Sequence, residues 1–144
     1  MTPDPKPGSR PAPDLHRRRP VIVCVDDELP ILRALARVLR EEAYELLLTQ
    51  DPGQALDWIR TREVSIVIAD YRMPHMTGAE LLANLEEGSP DTRKVLFTGH
   101  PGESVILRGR EQGAFTLVEK PWNDEKLKAV IRSELQKREA SRPP

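Results

Sequence analysis

Cysteine is almost missing from this chain of 144 residues, where Cys24 stands alone. One thiol cannot close an internal disulfide or supply the framework of a small secreted domain or a zinc module, so folding rests on packing. Aromatic residues make up only 4% of the chain, which leaves Val, Ile, Leu and Ala to build a modest core. No apolar run approaches the roughly 20 residues that span a bilayer, and the N-terminus lacks the apolar stretch of a signal peptide. Cytoplasmic localisation is therefore expected. Neither sign of charge dominates, since 22 basic residues stand against 23 acidic ones. The length allows one domain with tails and leaves no room for a second full domain.

Proline, by contrast, is plentiful and unevenly placed: six of the 14 fall within the first 20 residues. With so few apolar side chains there, residues 1–19 are expected to form a disordered tail. Lys6, Arg10, Arg17, Arg18 and Arg19 against Asp4 and Asp14 give this tail +3, leaving 17 basic and 21 acidic residues, net −4, in the remainder. A net acidic body is not a nucleic-acid footprint, and the arginine triplet reads as a solvated cluster.

From residue 20 onward, short apolar runs alternate with stretches of helical period. Val21 to Val25, Glu45 to Thr49, Val64 to Ala69, Lys94 to Phe97 and Ala114 to Val118 read as strands, the first apolar throughout and the third nearly so, as strands buried on both faces are. Between them, Leu29 to about Tyr44 is amphipathic, with Ile31, Leu32, Leu35, Val38 and Leu39 on one stripe. Asp51 caps a helix to about Arg62, and Thr77 caps another through Glu87, ended by Gly88-Ser89-Pro90. A weaker helix covers Gly102 to Gln112, and Asn123 caps the last one, whose Leu127, Val130, Ile131 and Leu135 form the inward stripe. Strand and helix alternating five times predict an α/β fold, a doubly wound parallel sheet covered on both faces, spanning residues 20–139 with a short tail at 140–144.

In such sheets the site lies beyond the carboxyl ends of the strands. Strand one ends in Asp26-Asp27-Glu28 and strand three in Asp70, so neighbouring strands would bring three carboxylates to one rim. Their repulsion calls for a cation, and a hard divalent ion such as Mg2+ or Mn2+ suits oxygen donors. Strand four runs out into Thr98-Gly99 and strand five into Glu119-Lys120-Pro121. A hydroxyl and an ammonium facing an acidic cluster across a narrow gap suit the equatorial oxygens of a transferred phosphoryl group, with one carboxylate as nucleophile.

The ordered set Val25-Asp26-Asp27, Ile68-Ala69-Asp70-Tyr71-Arg72-Met73-Pro74, Phe97-Thr98-Gly99 and Lys120-Pro121 resembles the receiver domain of two-component response regulators. The resemblance covers about residues 20–139. It implies a flavodoxin-like sheet of order 2-1-3-4-5 and a signalling domain that assists its own phosphorylation without turning over a metabolite. By the same resemblance Asp70 is the phosphoacceptor, charged by a sensor histidine kinase or phosphotransfer protein. Asp27, Asp70 and the Arg72 backbone carbonyl then bind magnesium directly and Asp26 binds it through water. Thr98 is implied as the switch hydroxyl, Lys120 as its cationic partner, and the Lys120-Pro121 bond as cis. The implied output is a shift of the face built by helix four, strand five and helix five toward an unidentified protein partner, with no direct nucleic-acid or membrane contact.

Three positions depart from the commonest pattern. Leu117 stands where the family usually carries an aromatic ring, so an aromatic readout is expected to be absent, with substitution by Phe115 or Trp122 as the alternative. Arg72 and His100, two residues past Asp70 and Thr98, put long side chains beside the expected phosphoryl group, where they would alter its lifetime. An aspartate-nucleophile phosphohydrolase generally has a second Asp at the place of Arg72, which argues against that reading. A flavin or nucleotide binder would need glycine, not acid, after strand one. A non-phosphorylated pseudo-receiver remains as the alternative. The chain is expected to be a stand-alone receiver or a fragment excised from a longer protein.

Overall fold

The computed structural model describes residues 19–85 and 91–141. Apart from Arg19, the expected tail at 1–19 lies outside the described residues, as do the Gly88-Ser89-Pro90 helix stop and residues 142–144. Ten elements follow in strict alternation: β1 (Val21–Val25), α1 (Leu29–Leu39), β2 (Glu45–Thr49), α2 (Pro52–Thr61), β3 (Ile66–Asp70), α3 (Gly78–Ala83), β4 (Arg93–Thr98), α4 (Ser104–Glu111), β5 (Thr116–Glu119) and α5 (Asp124–Ser141). The strands form one sheet of order β2-β1-β3-β4-β5, parallel at every pairing. The α/β architecture expected from the alternation is the one observed. Among the described residues no helix is long and apolar enough to cross a membrane.

The pleat sorts each strand's side chains onto two faces. Val21, Val23 and Val25 of β1, with Val67, Ala69 and Leu96, pack against Ala55 and Ile59 of α2, Leu81 and Leu82 of α3 and Ile106 of α4. Ile22 and Cys24, with Ile66, Ile68, Val95 and Phe97, meet Leu32, Leu35 and Leu39 of α1 and Leu127 and Ile131 of α5. Because both faces are covered, β1 and β3 are buried along their whole length, which is why their sequences are runs rather than alternations. Each fully buried Leu or Ile contributes about 1.5–3 kcal/mol of transfer free energy.

Element ends shift by a residue or two in several places, and three departures from the predicted extent have local reasons. Helix α1 ends at Leu39 instead of reaching Tyr44: the Glu42 amide bonds the Leu39 carbonyl at 3.1 Å and the Glu45 amide bonds the Pro20 carbonyl at 2.9 Å, turning the chain into β2. Helix α3 ends at Ala83, because the Asn84 amide is shared among the carbonyls of Glu80, Leu81 and Leu82 in a tightened last turn. Strand β5 starts at Thr116 instead of Ala114, whose amide is held at 2.9 Å by the Gly109 carbonyl, while Gly113 takes a left-handed φ of 73° to close α4. The predicted caps form: Asp51 accepts from the Gly53 amide, Thr77 and Glu80 make a reciprocal capping box, and Asn123 accepts from the Lys126 amide.

Candidate functional site

Parallel register carries the ends of β1, β3, β4 and β5 to one rim. Val25 pairs with Ala69, Asp70 with Phe97, and Thr98 with Glu119, so the first polar residues beyond the apolar runs emerge side by side. Asp26, Asp27 and Asp70 each direct a carboxylate oxygen into one cluster, with these oxygens within 4.8 Å of one another. Asp26 and Asp70 are buried. Glu28 is exposed and lies outside this cluster; it takes the N-cap position of α1 and its amide donates to Asp26 Oδ1 at 2.8 Å.

Lys120 does not face the carboxylates across an open gap. Its Nζ donates to Asp70 Oδ1 at 2.8 Å and to Asp26 Oδ2 at 3.1 Å, so in this state the ammonium itself occupies the space between them. Burial pushes Asp26 up to about 6, with the neighbouring Asp70 adding to the rise while the Glu28 amide and Lys120 oppose it. Asp70 is likewise raised, by burial first and by Asp27 and Glu28, against the pull of Lys120. For Lys120, burial works against the charge, yet the contacts to Asp70 and Asp26 outweigh it and the net shift is upward. A rim whose acids still resist ionisation with one ammonium in place is short of positive charge. Its oxygen-only donor set fits a hard divalent cation.

Thr98 is buried on the same rim; its Oγ1 accepts from the His100 amide at 2.9 Å and its carbonyl accepts from the Lys120 amide at 2.8 Å. The Lys120-Pro121 peptide is cis. Beside it the Trp122 ring packs on Phe97, centroids 5.1 Å apart. At the position of the missing aromatic, Leu117 packs with the core cluster that includes Phe115 and Ile106. Arg72 and His100 are exposed, and the Arg72 guanidinium is paired with Glu103. Buried Cys24, its thiol pushed up to about 12 by burial and by Asp26, is inert packing.

Two contributors escape sequence reasoning. Gly78 opens α3 where a Cβ would lie 2.3 Å from the Asp70 carbonyl oxygen and 2.8 Å from Leu96 Cδ1, so only a bare backbone lets the helix come this close behind the site. A glycine at the first position of a capped helix was the available signal. Gln50 donates from Nε2 to the Asp27 carbonyl at 2.9 Å, steadying the acidic loop from the end of β2. No local pattern marks it.

Comparison with known proteins follows the same lines. The description "Response regulator receiver domain" matches residues 22–132. The hydrogenase transcriptional regulatory protein HoxA of Bradyrhizobium diazoefficiens is 31% identical over 116 residues, covering 80% of this chain and 24% of that protein. The transcriptional regulatory protein FixJ of Rhizobium meliloti is 30% identical over 100 residues, covering 69% of this chain and 49% of its own length. This chain thus spans about a quarter to a half of these curated relatives. Among solved structures, the signal receiver domain of an HD domain-containing protein from Pseudomonas fluorescens Pf-5 superposes with a TM-score of 0.80 at 34% identity, covering 86% of this chain and 92% of that one. Fold, ordered rim residues and these matches agree, and the chain belongs to the response regulator receiver domain family of two-component signalling systems.

Proposed function

We propose that this receiver domain, taken as residues 20–139, accepts a phosphoryl group on Asp70 from the phosphohistidine of a cytoplasmic histidine kinase or phosphotransfer protein. One observation carries the reading: three carboxylates from two strand ends share a 4.8 Å cluster, and a lysine from a third strand end bonds two of them. Asp27, Asp70 and the Arg72 backbone carbonyl would hold Mg2+ or Mn2+ directly, and Asp26 through water. When bound, that ion offsets the carboxylate charge and the charge on the transferring phosphoryl oxygens.

The chain's own residues account for the remainder. An Asp70 carboxylate oxygen forms the new O–P bond as the P–N bond to the donor imidazole breaks, and the bonding pair leaves on the imidazole nitrogen. Lys120, already 2.8 Å from Asp70 Oδ1, turns its ammonium to a phosphoryl oxygen. The Thr98 hydroxyl accepts from the His100 amide and still has its own proton to donate to a second oxygen. Movement of Lys120 and Thr98 toward the new anion biases the α4-β5-α5 face, which is how a phosphorylated state would be read by a protein partner.

Intact-mass spectrometry after incubation with Mg2+ and acetyl phosphate tests this. One added phosphoryl group is expected, lost in EDTA and in Asp70→Asn. An adduct that persists in Asp70→Asn identifies a different nucleophile; none in the unaltered protein, with Mg2+ present, turns the reading to a pseudo-receiver that acts only as a protein-interaction module.

A further inference from the structure

Arg72 and Glu103 come from different loops, the first following β3 and the second preceding α4, yet their side chains form an ion pair at the mouth of the site. Both line one cleft of about 390 Å³ together with Asp27, Tyr71, Met73, Pro74 and Thr77. Glu103 occupies the N-cap position of α4 but makes no side-chain cap bond to that helix. Its carboxylate reaches instead to Arg72, 31 residues away in sequence. The helix it precedes buries Ile106 and leaves Val105 and Leu107 exposed, so α4 is lightly anchored and the pair is one of its ties to the rim.

We propose that Arg72 is an exchangeable cation, held by Glu103 in the unmodified domain and transferred to the phosphoryl oxygens once Asp70 is modified, which releases the start of α4. The inference rests on the phosphoacceptor reading above. Arg72 is 64% exposed in its pair, and exposed pairs are worth little, so the resting contact is easily given up. A phosphoryl group presents more charge and more acceptor oxygens than one carboxylate, and the planar guanidinium fork matches it. Arg72 stands two residues past Asp70 and shares its cleft with Asp27, on the open side of the acidic cluster. Glu103 is then a positioning residue that acts through Arg72: it competes with the phosphoryl group and sets how strongly modification is coupled to α4.

Calorimetric binding of beryllofluoride, a phosphoryl mimic, in the presence of Mg2+ provides the test. Glu103→Gln removes the competitor and should tighten binding roughly two- to five-fold, the range an exposed pair can contribute. Arg72→Ala should weaken binding, and adding Glu103→Gln to it should then change nothing. The gain from Glu103→Gln should also shrink in high salt, and urea unfolding of each variant separates this from loss of fold. No tightening in Glu103→Gln, or an equal gain with and without Arg72, overturns the exchange while leaving Asp70 as the acceptor. Absence of Asp70-dependent binding in the unaltered protein overturns the phosphoacceptor reading and the exchange with it.

Discussion

Asp26→Asn should make the metal-free protein more stable at neutral pH, although it removes a charged partner of Lys120. Asp26 rises to about 6 in the folded state from 3.8, because burial opposes its ionisation more than the Glu28 amide and Lys120 favour it. A carboxyl that binds its proton more tightly folded than unfolded loses stability as pH climbs through the window from about 4 to 6. At pH 7 that shift of about two units corresponds to roughly 3 kcal/mol held against folding. Asn keeps an oxygen for the Glu28 amide, 2.8 Å away, but points its NH2 at the Lys120 ammonium. About half of the ceiling should survive, so a gain of about 1–2 kcal/mol is expected. Urea unfolding in EDTA at pH 4 and pH 7 measures it: the variant's advantage should be near zero at the lower pH and full at the higher. Added Mg2+ should narrow the difference, since ligand bound only to the folded state stabilises it and the unaltered rim offers a cation one more carboxylate than the variant does. A variant less stable than its parent at pH 7, with the deficit fading at pH 4, would refute the reasoning, for it would mean that the Lys120 contact outweighs the burial of the charge.

Other perturbations separate the site from its support. Gly78→Ala puts a methyl group against the Asp70 carbonyl and Leu96 and should cost about 1–3 kcal/mol, with slower acetyl phosphate labelling; an unchanged melting curve would show that α3 can simply move away. At the opposite end of the sheet, burial raises Glu134, but bonds from Arg93 at 2.8 Å and Thr116 at 2.9 Å more than offset this and hold it below its ordinary value. Glu134→Ala should therefore cost about 3 kcal/mol at pH 7, a deficit that fades below about pH 4.5 as the parent loses the same charge; a pH-independent deficit would point to packing alone. Cys24, fully enclosed, should react with iodoacetamide only in denaturant, and labelling of the native protein would reveal an opening of β1.

Those two carboxylates, Asp26 and Glu134, also show what a single sequence discloses. Asp26 and Asp70 were legible because a strand buried on both faces has to be apolar until it leaves the sheet, so the residue that breaks each run marks a rim position. Parallel topology then puts those breaks at the same end; Thr98 follows by the same rule, and Lys120 lies one residue past Glu119, which breaks the run of β5. What the rule does not convey is distance. Lys120 lies against Asp26 and Asp70, not across a gap from them, because its backbone amide is tied to the Thr98 carbonyl and its ammonium is drawn onto both carboxylates.

Helix α5 marks the limit of periodicity more sharply. Its apolar stripe predicts Leu127, Val130, Ile131 and Leu135 facing in, and all four pack in or against the core, yet the most buried residues are Leu127, Ile131, Glu134 and Arg138. The inward line simply continues past the apolar residues, and Glu134 stays ionised there because Arg93 and Thr116, at the starts of β4 and β5, converge on it. Arg93 and Glu134 are 41 residues apart, so no window of sequence joins them. The pairing of Arg72 with Glu103, 31 residues away, escapes notice for the same reason. Charge at the sheet's carboxyl end is therefore arranged against stability, with raised acids awaiting a cation, while charge at its amino end is arranged for it. Metal-free stability should accordingly be set by the Glu134 end, and its response to Mg2+ by the Asp70 end. The two should behave additively in a double-mutant cycle between Asp26→Asn and Glu134→Ala, since sites this far apart share no partners.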